Sequence, residues 1–203
     1  TSLPPVNGIS AQAWDMKAMI KFIMLSKTYQ QSSSASESLY HKDPDNRLLA
    51  RGPRLRLPAE IIRDQALAAS GLLVPKIGGP SARPYMPDKV WDETSTFGNM
   101  LNYKADQGDG LYRRSIYTIW KRTAAPPSML LFDAPNREIC MPKRSRTNTP
   151  LQALALMNEV TYVEAARALA EKMLSIESAK NTEDRLFLGY RLATGSVPNA
   201  GTL

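Results

Sequence analysis

Hydrophobic positions recur with helical spacing in five stretches and with alternating spacing in one. Met16, Met19, Ile20, Ile23 and Met24 fall on one face, so the spacing predicts a helix from Ser10 as its cap to about Thr28, with the methionine stripe filling a core. A second helix is predicted in "RLPAEIIRDQALAASGLL", with Pro58 in its first turn and Gly71 in the left-handed position after its last. Thr149, Pro150 and Gln152 form a T-x-x-Q capping box with proline at the first helical position; Leu151, Leu154 and Ala155 supply the apolar side, and Asn158 ends or kinks the helix. A further helix is expected from Thr161, boxed by Glu164, and a last one from Asn181 or Thr182 to Gly195. Between them, "LYRRSIYTIWKR" alternates β-branched and aromatic residues, placing Tyr112, Ile116, Thr118 and Trp120 on one face with Arg114 and Arg122. With "NMLNY" before it and "DQGDG" between, the run predicts a β-hairpin.

These elements make the fold class mainly α: a helical domain with one small β-hairpin and long irregular loops. Residues 1–203 are expected to form a single domain, a fragment of a larger multidomain protein. Residues 1–9 read as linker, 10–73 as helical, 74–150 as irregular plus hairpin and basic, and 151–195 as helical. In the irregular part, Tyr85, Trp91 and Phe97 are the expected anchors. No apolar run approaches the roughly 20 residues of a membrane span.

Charge changes this picture because it is unevenly placed. The net charge is +7. Residues 1–110 hold 13 cations and 11 anions, residues 111–150 hold eight and two, and the remainder holds five and six. One forty-residue block therefore carries +6. Its arginines are dispersed among acids without a lysine tract or a reader motif, which argues against nucleic acid as partner. An anionic ligand, such as an acidic saccharide, a sulfate ester or a phosphate, suits it better. The expected ligand-binding residues are Arg113, Arg114, Arg122, Arg144 and Arg146, with Thr149 at a helix N-terminus whose free N–H groups attract anions. The competing reading pairs these arginines with Glu60, Asp64, Asp133 and Glu138 inside the chain.

Glu60 and Asp64 stand at i and i+4 on one helix face, where two carboxylates repel unless compensated. They are the candidate catalytic pair, through acid–base chemistry or a bound metal; Arg56 and Arg63 are the bland alternative compensators. "YHKDPDNR" resembles a calcium loop only faintly, since Pro44 interrupts it, so Asp43, Asp45 and Asn46 read as turn formers and no metal site is assigned. Cys140 is the single cysteine, which excludes an internal disulfide, a cysteine zinc cluster and CxxCH haem attachment. Patterns for P-loop, dinucleotide and α/β-hydrolase sites are absent.

In order along the chain, "WDMKAMIKFIMLSKTYQQSS", "DPDNRLLARGPRLRLPAEIIRDQALAASGLL", "GGPSARPYMP", "LYRRSIYTIWKRTAAPPSMLLFDAPNREIC" and "RTNTPLQALALMNEVTYVEAARALAEKML" resemble the C-terminal domain of unknown function, number fifteen fifty-three, of planctomycete cytochrome-c-associated proteins. The resemblance runs from about Trp14 to Gly195. It implies an exported setting, periplasmic or cell-surface, in a large protein where another domain carries a c-type haem. It assigns no catalytic residues, and without a CxxCH motif no cofactor is expected in this chain itself. Three functions are thus open: an accessory module for an anionic ligand or acidic polysaccharide, an enzyme using Glu60 and Asp64, and a structural domain docking onto a haem partner such as a cytochrome c module.

Overall fold

The computed structural model describes residues 3–6, 9–11, 14–91, 103–121, 123–177, 179, 181–199 and 201–202. The fold is mainly helical, with seven α-helices among these residues. The chain divides into two compact units, Thr1–Leu55 and Arg56–Leu203.

In the first unit, β1 (Leu3–Val6) pairs antiparallel with β2 (Ile9–Ala11) in a two-stranded ribbon. Helix α1 (Met16–Met24) follows, capped by Asp15, whose carboxylate accepts from Ala18 N at 2.9 Å. The cap is therefore five residues later than the expected Ser10, which lies in β2. The methionine stripe is not core: no residue of α1 is buried, and Met16, Met19, Ile20, Ile23 and Met24 are all exposed. A two-stranded ribbon and one further short helix offer too little surface within the unit to cover that face. After α2 (Glu37–Lys42), Asp43 binds the N–H groups of Arg47 and Leu48, both at 2.8 Å, while Arg51 donates to the carbonyls of Asp43 and Pro44. "DPDNR" is thus a turn closed by one carboxylate and one guanidinium.

The second unit is built on α3 (Ala59–Ser70), which packs against α4 (Pro127–Leu131), α6 (Val160–Ser175) and α7 (Thr182–Thr194). Pro58 precedes α3, and Gly71 ends it at φ 87°, a conformation that glycine adopts without a Cβ penalty. Gly195 ends α7 in the same way, and Asn181 caps its start. Helix α5 (Pro150–Asn158) carries the predicted capping box: Thr149 Oγ1 accepts from Gln152 N, and Gln152 Oε1 accepts from Thr149 N. The buried core comprises Ala59, Met129, Phe132, Ala134 and Tyr162, bordered by Ile62, Ala66, Trp120 and Ala155; Phe132 and Tyr162 meet edge to face at 6.3 Å.

Two local expectations differ. Glu159, not Glu164, caps α6 by accepting from Thr161 N, and Glu164 instead accepts from the Tyr112 hydroxyl at 2.7 Å. The run expected as a hairpin forms two 3-10 turns, Gly108–Tyr112 and Ser115–Tyr117, joined to the rest by isolated bridges at Val74 and Ala82. Its ladder groups have other partners: α3 side chains bind the carbonyls of Leu111 and Arg113 and the N–H of Ser115. Residues 99–102 of the expected first strand, Phe97 and Arg122 lie outside the described residues, whereas Trp91 is buried against Tyr103.

Candidate functional site

Helix α3 turns three successive ionisable positions toward irregular chain. Arg63 is buried; its guanidinium donates to Leu111 O at 2.6 Å, Arg113 O at 2.9 Å and Ser115 Oγ at 3.2 Å. Burial lowers the Arg63 pKa, opposed first by the charge of neighbouring Asp64. Asp64 accepts from Ser115 N at 2.7 Å through one oxygen, and its other lies 3.5 Å from Arg114 Nε. One turn earlier, Glu60 takes Arg144 Nη1 on both oxygens, at 3.0 and 2.8 Å. The i and i+4 carboxylates thus have separate arginines and hold different segments, Glu60 the irregular chain at 144 and Asp64 the turn at 115. Neither lines the grooves at Trp91 and Tyr103 or at Ile62 and Ala66. Among the described residues no group of three or more His, Cys, Asp or Glu side chains could hold a metal.

The arginines expected to face a ligand divide. Arg113 points inward and is buried, contrary to the expectation. Its guanidinium donates to the carbonyls of Gly78 and Pro80, each at 2.5 Å, reaches Lys76 O at 3.4 Å, and stacks 4.0 Å from the Tyr117 ring centroid. A planar fork can meet several carbonyls at once, and here it folds the "KIGGP" loop around itself. Arg114 is half-exposed beside Asp64. Arg144 faces Glu60 while keeping 43% of its side chain open. Arg146 is exposed and makes no hydrogen bond or ion pair with the described residues. Thr149 uses its hydroxyl as a helix cap. Of the described arginines, Arg113, Arg114 and Arg144 thus meet acceptors within the chain and Arg146 does not.

Another arginine node was not singled out as a site by sequence reasoning. Arg56 donates to Thr147 O at 2.7 Å and Phe132 O at 3.2 Å and pairs with Asp133. Asp133 in turn accepts from Thr147 N at 2.8 Å and Thr147 Oγ1 at 2.9 Å. The Thr147 N–H holds the Asp133 carboxyl below its ordinary range, with the Thr147 hydroxyl and the Arg56 charge acting the same way. Gln152 completes the node by donating to Leu131 O at 2.8 Å and Thr147 Oγ1 at 3.0 Å. Asp133 has φ 59°, an αL position that aspartate tolerates. An aspartate just after the apolar run "MLLF" was the available signal.

Beyond the arginines, several large apolar side chains face outward. Helix α5 has one buried residue, Gln152, whereas Leu151, Leu154, Leu156 and Met157 are exposed, as are Val160 and Val163 at the start of α6. Leu156 also borders an apolar groove of about 390 Å³ with Ile62, Ala66, Ala165 and Leu169. A helix apolar on most sides is normally covered.

The family model described as "PSD1: Protein of unknown function (DUF1553)" matches residues 7–203. The chain belongs to this family. No curated protein and no solved structure shows significant similarity to it. Within this PSD1 member, no helix of the described residues is long and apolar enough to cross a membrane.

Proposed function

We propose that this PSD1 domain is a docking module that binds a folded partner through α5 and the first turn of α6. The observation carrying this reading is the exposed apolar run Leu151, Leu154, Met157 and Val160, with Met157 67% exposed. Contiguous apolar surface of this kind marks interaction sites. Lys143 and Arg146 precede α5 and make no hydrogen bond or ion pair with the described residues, so the complementary partner has an apolar patch with an acidic rim. The resemblance to cytochrome-c-associated proteins makes a c-type haem module the partner to test, in an exported setting.

Docking is preferred to an accessory module for an anionic ligand because Arg113, Arg114 and Arg144 already have acceptors within the chain. It is preferred to an enzyme because Glu60 and Asp64 fasten separate segments. The test is calorimetric titration of the whole chain with a haem-bearing module. Leu154→Lys with Met157→Lys is expected to abolish binding at unchanged melting temperature. Undiminished binding by that double variant would refute the reading. Binding to a polyanion array that depends on Lys143 and Arg146, with no binding to the haem module, would favour the anionic ligand instead.

A further inference from the structure

The stretch from Asn136 to Thr147 leaves the body of the second unit and returns to it with both ends fixed. At the outgoing end Trp120 Nε1 donates to Asn136 O at 3.2 Å, and the Arg137 guanidinium lies 4.6 Å from the centroid of the Trp120 ring system. At the returning end Arg144 holds Glu60, and Thr147 holds Asp133. Every residue from Arg137 to Thr149 is exposed. The outward side chains follow an order: Ile139, 71% exposed, then Cys140 and Met141, then Lys143, Arg144 and Arg146. Glu138, the one acid of the stretch 137–146, is folded back, accepting from Asn136 Nδ2 at 3.3 Å. Four cations against that acid leave +3 on ten residues.

A loop held at both ends, exposing apolar side chains and then cations along its length, needs a matching cavity in any protein partner. A bilayer interface needs none: apolar side chains enter the headgroup–acyl boundary while Lys and Arg meet anionic phosphates beside it. Holding the loop from both ends also reduces the ordering cost of binding. We propose that loop 138–146 attaches this domain to an anionic lipid surface, with Ile139 and Met141 entering the interface and Lys143 and Arg146 pairing with headgroup phosphates. The lipid contact shares Lys143 and Arg146 with docking through α5, whereas Ile139 and Met141 belong to it alone.

Cys140 is the only cysteine and is exposed between Ile139 and Met141, so an environment-sensitive fluorophore attached there reports insertion in the full chain. Equimolar phosphatidylglycerol–phosphatidylcholine vesicles should shift its emission to the blue, and phosphatidylcholine vesicles should not. Ile139→Asp with Met141→Asp should abolish the shift, and Lys143→Ala or Arg146→Ala should each weaken vesicle binding about fivefold. All four side chains are exposed, so the melting temperature should not move and loss of binding is not loss of fold. No shift with either vesicle, or an equal shift with neutral vesicles, overturns the proposal. A shift produced by the haem module but not by vesicles overturns it in favour of a protein contact at this loop.

Discussion

Helices α3 and α5 lie in the same unit and invert the usual relation between polarity and burial. Helix α3 carries Glu60, Arg63 and Asp64 within twelve residues and buries Arg63 and Asp64. Helix α5 has no charged residue and buries only Gln152. The difference lies in what each helix finds nearby. The charges of α3 meet backbone groups of 111–115 that lack a ladder partner, so burial leaves those groups bonded rather than orphaned. The leucines of α5 have α4 and α6 beside them, and Leu151, Leu154 and Leu156 nonetheless stay exposed. Hydropathy thus says which faces require cover, while the identity of the cover is set elsewhere.

The largest effect is expected at Arg63. Arg63→Ala strands two carbonyls and leaves Asp64 without its neighbouring charge, costing about 3–5 kcal/mol; a urea midpoint shift worth less than 1 kcal/mol by the same rule would show that charge does not hold α3. Arg113→Lys should cost about 2 kcal/mol, because an ammonium cannot fork to the Gly78 and Pro80 carbonyls together. Proteolysis within residues 76–80 should rise with it. Thr149→Ala removes a cap of α5 and should cost about 1 kcal/mol in the same denaturation assay.

The acid limb of stability isolates the Arg56 node. The folded Asp133 carboxyl titrates below its ordinary value of 3.8, chiefly because Thr147 N–H binds the charged form. Its contribution is fully present above that value and is lost as the pH falls toward the folded pKa. Asp133→Asn should therefore lower stability at neutral pH and flatten its decline below pH 3.8, whereas an unchanged slope would remove the node from the account. The smallest stability effect belongs to Leu154→Lys, expected within about 0.5 kcal/mol. A larger loss would mean that α5 is covered within the chain.

Local signals were legible where the responsible groups are neighbours in sequence. The Thr149–Gln152 box, Gly71, Gly195 and Asn181 act within one turn, and each reads directly as a helix start or stop. The reading failed where distant side chains decided. The alternation in "LYRRSIYTIW" predicts strands only while its backbone groups are free, and Arg63 and Asp64 bind them. Arg113 looked like surface charge because the carbonyls that bind it lie 33 to 37 residues away. The alternative of internal pairing anticipated Glu60 and Asp64 as acceptors, which Arg144 and Arg114 meet, but not the pairing of Asp133 with Arg56 or the preference of Arg113 for carbonyls.

Carbene footprinting of the chain, alone and with a haem-bearing module, addresses the open face of α5 in one experiment. Labelling of Leu151, Leu154, Met157 and Val160 should be high in the free chain and fall on complex formation, with Leu67 silent in both states. A complex that leaves those four side chains as reactive as before would contradict the docking account.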